Sequence, residues 1–316
     1  MEMNPSGDKV RLKVVVVGGP TASGKSELAV RLAERFDGEV VNADSMQFYR
    51  KMDIGTAKPS PDLLKRAPHH LLGIVDPDVN FTAADFQQKA RQAIIEIHGR
   101  GRLPVLVGGT GLYIKAVLSG LSDSPGADKA AREEYNRIAN RYGNEALLEF
   151  LREVDPVSAA RIHANNRVRI IRALEVFKQT GRTLSSFQDD HGFMMRWCDS
   201  LKIALHVERS ELYDRINARV DRMIADGLVA EVESLLSMGY APELKALSAI
   251  GYHEISGYLA GKQTLFEAVE LIKRNTRRYA KRQLTWFNSD PEVSWFCYPD
   301  AFDEISAAVT RFLAKK

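Results

Sequence analysis

Cysteine is scarce: Cys198 and Cys297 are the only two in 316 residues, far apart and in no CxxC pair. A zinc ribbon and a redox dithiol are thereby excluded. No apolar run approaches the ~20 residues that span a bilayer, and the opening MEMNPSGDK lacks the apolar stretch of a secretory leader. Charge of one sign is missing too. Forty-four basic residues against 41 acidic leave a net charge of +3, which excludes a histone-like tail or an acidic disordered region. There is no internal repeat and no low-complexity tract. What remains is a reduced, cytoplasmic, globular chain, 45% apolar and 27% charged, long enough for one large domain with an insert or two modest domains.

The first 120 residues alternate strand and helix signals. Lys13 to Val17 is a β-branched run ending at Gly18, Ser26 to Phe36 has helical apolar spacing, and Gly38 to Asn42 is a second strand. Phe86 to His98 follows as an amphipathic helix and Leu103 to Val107 as a third buried strand. This is the pattern of βαβ units: a parallel sheet with helices on both faces, an α/β fold of the P-loop NTPase-like kind. A breaker cluster at 122–128 opens a stretch that reads as helical to about Gly192. A strand returns at Lys202 to Val207, followed by helices over Leu212 to Met238 and Leu265 to Phe287 and a short extended piece between Pro291 and Pro299. The returning strand favours a core of residues 10–120 and 200–316 interrupted by a helical insertion at 121–199.

The segment Gly19, Pro20, Thr21, Ala22, Ser23, Gly24, Lys25, Ser26 fits the phosphate-binding pattern GxxxxGK[ST]. Its glycines let backbone N–H groups turn onto a phosphate at a helix start; Lys25 adds a point charge, and the Ser26 hydroxyl can ligate Mg²⁺. An ATP-hydrolysing relative would carry an acid at the end of a later strand. Here the third strand runs into Gly108, Gly109 and Thr110 instead, and the available acid is Asp44, after the second strand. Ligands sit at the carboxyl ends of such strands, so Asp44 and Thr110 should flank the phosphate site. Asp44 is a candidate general base; a helix cap or Asx-turn is the alternative.

The sequence resembles the tRNA dimethylallyltransferase (isopentenyl-tRNA transferase) family. The resemblance runs through GPTASGKS at 19–26, NADSMQFYRKMDIGTAKP at 42–59, LVGGTGLYIKA at 106–116, RIHANNRVRIIRALEVF at 161–177, IGYHE at 250–254 and KRQLTWF at 281–287. It implies a P-loop holding dimethylallyl diphosphate as co-substrate, with Mg²⁺ as cofactor. The prenyl group would pass to N6 of the adenosine just 3′ of the anticodon of tRNA, with diphosphate released. By the same resemblance the diphosphate lies along residues 19–26 with Lys25, Asp44 accepts the N6 proton, and Thr110 assists. Asp44, Ser45, Met46, Gln47 and Thr110 would touch the target base and its neighbours. Arg132, Val168, Arg169, Ile170, Ile171, Arg172, Arg278, Lys281, Arg282, Gln283 and Trp286 would contact the anticodon stem-loop, with the enzyme acting as a monomer. Asn288 departs from the pattern, where a basic residue is expected.

Charge placement points the same way. KRNTRRYAKR at 273–282 holds six basic residues and no acid. As a helix it sets Lys273, Arg277 and Lys281 in one stripe beside Arg274, Arg278 and Arg282, a broad cationic face suited to a phosphate backbone. Arg161, Arg167, Arg169 and Arg172 form a second cluster, of which one or two could instead pair with Asp155 and Glu175. Arg215, Arg219 and Arg222 share one helix face; they either line the diphosphate pocket, as taken for Arg219, or pair with Asp214, Asp221 and Asp226. Tyr252, at a Gly251 turn, either stacks a base or packs in the core. His69, His70, His191 and His253 lack metal-ligand spacing and read as structural. A P-loop kinase of a small hydroxyl substrate, a noncatalytic RNA-binding module, and an isopentenyltransferase acting on free AMP are the competing functions.

Overall fold

The computed structural model describes residues 12–191 and 196–315. The N-terminal stretch read above for a leader, the first residues of the expected core and the expected helical end at Gly192 lie outside the described residues. In chain order the elements are β1 (Lys13–Gly18), α1 (Lys25–Arg35), β2 (Gly38–Asn42), α2 (Pro61–Arg66), β3 (His69–His70), α3 (Ala83–Gly99), β4 (Leu103–Val107) and α4 (Gly111–Ser119). Then come α5 (Lys129–Val154), α6 (Pro156–Arg161), α7 (Arg167–Thr180) and α8 (Leu184–His191). The chain continues with β5 (Asp199–His206), α9 (Arg209–Ala225), α10 (Leu228–Ser237), α11 (Tyr252–Leu259), α12 (Leu265–Asn288), β6 (Val293–Cys297) and α13 (Phe302–Ala314).

Among the described residues the strands form one sheet in the order β3-β2-β4-β1-β5-β6, with every pair parallel. β1 lies inside it and is buried on both faces, which is why its valines run without alternation. Val14 and Val16 pack with Val41 and Leu106 against Phe86, Ile94 and Val117 of α3 and α4. Val15 and Val17 pack with Val40, Val105 and Leu205 against Leu28 and Leu32 of α1 and Ile305 and Val309 of α13. Helices therefore cover both faces, and the fold is α/β as the alternating pattern implies. A third apolar cluster joins Tyr49 and Met52 to Val220, Leu228, Tyr252 and Ile272 of α9 to α12.

Two expectations from the sequence need correction here. The expected helix from Leu212 to Met238 is two helices, parted at Gly227, whose φ of 102° is left-handed and cannot continue α9. Tyr252 is not in a turn: it opens α11 and is fully buried. The paired histidines form the short edge strand β3, where His70 bonds Glu39 at 2.6 Å and His69 bonds the Ala67 carbonyl at 2.8 Å. Among the described residues no helix is long and apolar enough to cross a membrane.

The chain divides into two compact units, residues 1–118 with 197–316 and residues 119–196. The second is all helical, with α5 kinked at Gly143. Its core gathers Leu147, Leu148, Leu151, Ile170, Ile171 and Leu174. Two acids are buried in it with full sets of partners. Glu175 accepts from Arg132 at 2.8 Å and 3.1 Å and from Arg172 at 2.8 Å. Asp155, 1% exposed, accepts from the backbone and hydroxyl of both Ser158 and Ser185.

Candidate active site

The turn from β1 into α1 carries the phosphate-binding pattern. α1 begins with no side-chain cap, so its first N–H groups remain available to an anion. Ser23 is 1% exposed, and its hydroxyl has no partner among the described residues. A buried orphan hydroxyl is costly unless a ligand satisfies it. Lys25 Nζ donates to the Pro20 carbonyl. Burial, then the positive charge of Arg219, lowers the Lys25 ammonium from its ordinary 10.5 to about 7, although Asp44 opposes the shift. Arg219 reaches Thr21 Oγ1 at 3.3 Å and the Ala57 carbonyl at 3.5 Å. Two cations crowd one buried place with a single acid nearby, an arrangement that wants an anionic guest.

Asp44 follows β2. Its Oδ1 accepts from the Met46 N–H at 2.9 Å, an Asx-turn, while its second oxygen has no donor among the described residues. The turn reading thus holds for one oxygen, while the other is left for the cavity. The segment is anchored below by Phe48, stacked within a cluster of Phe81, Phe86 and Tyr113 whose ring centroids lie 4.7 to 5.8 Å apart.

A cavity of about 400 Å³ brings the two halves together. Thr21, Lys25, Ser26, Asp44, Ser45, Met46, Gln47, Arg219 and Gln283 all line it, with apolar walls from Ile216, Met223 and Ile250. The arginine alternative is thus resolved in part: Arg219 faces the cavity, whereas Arg215 pairs with Glu211 at 2.6 Å. Ala22 and Gly24 border a separate, more open cleft of about 940 Å³ that Arg215, Arg219 and Arg222 also line. Gly19 and Pro20 form the loop's approach.

Several expected contacts fall elsewhere. Thr110 does not line the cavity; its hydroxyl accepts from the Ser45 N–H at 3.3 Å and donates to Ser45 Oγ at 3.4 Å, so it braces the turn that carries Asp44. Gln283, 4% exposed, is no surface contact for RNA. Its Oε1 accepts from the Thr21 N–H at 2.8 Å and its Nε2 donates to the Gly109 carbonyl at 3.1 Å, clamping the P-loop to the end of β4. A Cβ at Gly109 would lie 1.9 Å from that amide, hence the glycine. Trp286 is half-buried. Arg278, Lys281 and Arg282 are exposed on α12, as is Arg274. The cationic face is narrower than its sequence suggests, because Lys273 pairs with Asp221 and Glu270 and Arg277 bonds Asn217.

In the helical unit, Ile170 and Ile171 are 0% and 5% exposed core residues and cannot offer side chains to RNA. Val168 is 79% exposed and Arg169 is exposed beside it. Arg132 and Arg172 are both held by Glu175, while among the described residues no arginine pairs with Asp155. Sequence reasoning missed Tyr279, which lines the cavity one turn before Gln283. Burial, reinforced by the charge of Asp44, pushes its hydroxyl up to about 12. The signal was there in the helical period: positions 272, 276, 279 and 283 share the inward stripe of α12.

Comparison with known proteins gives the family. Residues 47–290 match the family described as IPP transferase. The tRNA dimethylallyltransferase 2 of Geotalea uraniireducens is 60% identical over 304 residues, spanning 96% of this chain and 98% of that protein. The tRNA dimethylallyltransferase of Geobacter sulfurreducens is 60% identical across 98% of this chain and 99% of its own. The crystal structure of the full-length tRNA isopentenylpyrophosphate transferase from Bacillus halodurans superposes with a TM-score of 0.72 at 45% identity, covering 96% of this chain and 97% of that one. A eukaryotic dimethylallyltransferase captured acting on tRNA gives a TM-score of 0.76 at 28% identity, over 96% of this chain and 78% of its own. This chain belongs to the IPP transferase family.

Proposed function

We propose that this chain is a cytoplasmic tRNA dimethylallyltransferase, which moves the dimethylallyl group of dimethylallyl diphosphate to N6 of the adenosine just 3′ of the anticodon. The observation that carries the reading is the single cavity in which Asp44 faces Lys25 and Arg219 between apolar walls. A kinase would need a carboxylate after β4, and that place is taken by Gly108 and Gly109.

The chemistry follows from the residues. An adenine amine is a poor nucleophile, so the electrophile must carry a good leaving group. The N6–C1 bond forms as the C1–O bond breaks, and the diphosphate departs with the electron pair. Backbone N–H groups at the start of α1, with Lys25 and Arg219, stabilise the charge that builds there. The unengaged oxygen of Asp44 takes the N6 proton. The Ser26 hydroxyl lines the same cavity, and it suits Mg²⁺, an ion that takes most of its ligands from phosphate and water. When bound, the ion adds positive charge against the diphosphate. Apolar walls suit the prenyl chain. The target base must leave its stack, at a cost of a few kcal/mol that an anticodon loop reduces. Exposed Arg274, Arg278, Lys281 and Arg282, and in the helical unit Arg169 and Val168, are the surfaces we assign to the stem-loop.

Labelled dimethylallyl diphosphate incubated with an unmodified anticodon stem-loop, with AMP, and with ATP plus small hydroxyl acceptors separates the readings. Label in the RNA is expected; label in AMP alone, or ATP turnover alone, overturns the proposal. Asp44→Ala is expected to slow transfer about 10²- to 10⁴-fold with stem-loop affinity retained.

A further inference from the structure

Glu231 lies in the first turns of α10, outside the cavity wall. Its carboxylate nevertheless has four donors. Oε2 accepts from the N–H groups of Asp53 and Ile54 at 2.9 and 2.8 Å, and Oε1 accepts from the Gly55 N–H at 3.1 Å and the Tyr252 hydroxyl at 2.5 Å. Three successive backbone N–H groups thus converge on one anion, the geometry of an anion nest. No cation pairs with Glu231 among the described residues, so its charge is held by this nest and the phenol alone.

What the nest holds is a wall of the site. The loop after Gly55 turns its Thr56 and Ala57 carbonyls onto Gln47 Nε2, each at 3.1 Å, and Ala57 also accepts from Arg219. Ala57 has a φ of 51°, left-handed for a residue with a side chain, a conformation that persists only where neighbours enforce it. Gln47 lines the cavity two residues beyond Ser45, and Tyr252, packed against Gly55, lines it too. One carboxylate therefore ties together the loop that aims Gln47, the carbonyl that meets Arg219, and an aromatic wall.

We infer that Glu231 is a positioning residue of the transfer reaction, acting through the 53–57 loop to set Gln47 against the substrate. The inference rests on the transfer reading above. Glu231→Gln keeps the side chain's shape but turns an amide NH₂ toward groups that are themselves donors. It is expected to lower kcat/KM for an anticodon stem-loop about tenfold to hundredfold, the usual scale for small misplacements in a site. Adding Gln47→Ala to Glu231→Gln is expected to cost much less than Gln47→Ala costs alone, since the two act as one unit. Glu231→Asp, which keeps the charge one methylene short, should fall between wild type and Glu231→Gln. If Glu231→Gln does not fold, the same cycle is run with Glu231→Asp.

Activity within about twofold of wild type, or effects that multiply independently, would overturn the inference. A merely structural role would lower the melting temperature and leave the two residues uncoupled. Hydrogen exchange at the Asp53, Ile54 and Gly55 amides keeps this test separate from the transfer reading. If wild type transfers nothing to the stem-loop, that reading fails on its own. Exchange then tests only the hold of Glu231 on the loop: unchanged exchange at these amides in Glu231→Gln overturns the inference outright, and faster exchange with no transfer overturns its link to the reaction.

Discussion

Diphosphate binding should take up a proton at Lys25. In the free protein, burial and the charge of Arg219 bring the ammonium down to about 7 from 10.5, with Asp44 only partly compensating. Above pH 7 the free side chain is therefore mostly neutral, whereas a bound diphosphate supplies the negative charge that restores the cation. At pH 8 about nine-tenths of the free protein lacks the proton, so binding takes up about 0.9 proton. The proton missing from Lys25 by itself weakens binding at that pH about tenfold relative to pH below 6, about 1.4 kcal/mol. Titration calorimetry with inorganic diphosphate at pH 8, in two buffers of different ionisation enthalpy, counts the protons. Lys25→Arg is the reference, because a guanidinium stays charged and its count records only protons belonging to the ligand. Equal uptake in the two proteins would refute the reasoning. The same shift has the opposite sign for the folding of the free protein. Between pH 7 and 10.5 the unfolded chain holds a proton that the folded one has lost, so this group adds stability as pH rises, and Lys25→Met removes that gain.

Three further outcomes can be checked. Gln283→Ala should weaken diphosphate binding about fivefold to tenfold, about one lost hydrogen bond, and leave stem-loop affinity unchanged; the reverse pattern would return Gln283 to the RNA surface. Arg278→Ala should weaken RNA binding and flatten the salt dependence of log K by about 0.7 to 0.9, whereas Lys273→Ala, already paired with Asp221, should leave the slope alone. Asp155→Ala should cost about 3 kcal/mol of local stability in the helical unit, read as faster hydrogen exchange over residues 155–160 and 184–190. Burial alone would raise the Asp155 carboxyl, but bonds from Ser158 and Ser185 outweigh it and hold it below 3.8. Its contribution is therefore full above pH 4 and lost as pH falls through the lower folded value.

The interior of the fold was the legible part, for a physical reason. A parallel strand buried on both faces is apolar at most positions, and β1 and β4 fall where their apolar runs are. The two-residue β3 is too short to leave an apolar pattern. The break at Asp226-Gly227 was legible as a turn pair, but the apolar spacing on either side reads as one helix. In the site, P-loop, Asp44 and Arg219 could be read from residue type, because phosphate chemistry constrains type. Contacts decided by burial could not. Gln283 looks like a polar reader of RNA until its place on the stripe with Ala280 and Phe287 turns it inward, and Ile170 and Ile171 follow Leu174 into a core. Cationic clusters mislead similarly: Lys273 and Arg172 count toward charge in the sequence, yet both are neutralised by acids distant from them in chain or one turn away.

The strand order also dictates when the site can exist during synthesis. β1, which carries the phosphate loop, gains its neighbour β4 by residue 107 but meets β5 only when residues 199–206 have emerged. Between those moments the ribosome delivers the whole helical unit, whose apolar cluster draws only on its own residues. The unit can collapse early, on local contacts, while one edge of β1 stays open with its hydrogen-bonding groups unpaired. Arg219 and Gln283, which both reach Thr21 of the phosphate loop, arrive later still. A chain stalled between residues 107 and 199 therefore exposes an unpaired edge of β1, and one stalled before α12 still lacks the Gln283 clamp on the phosphate loop.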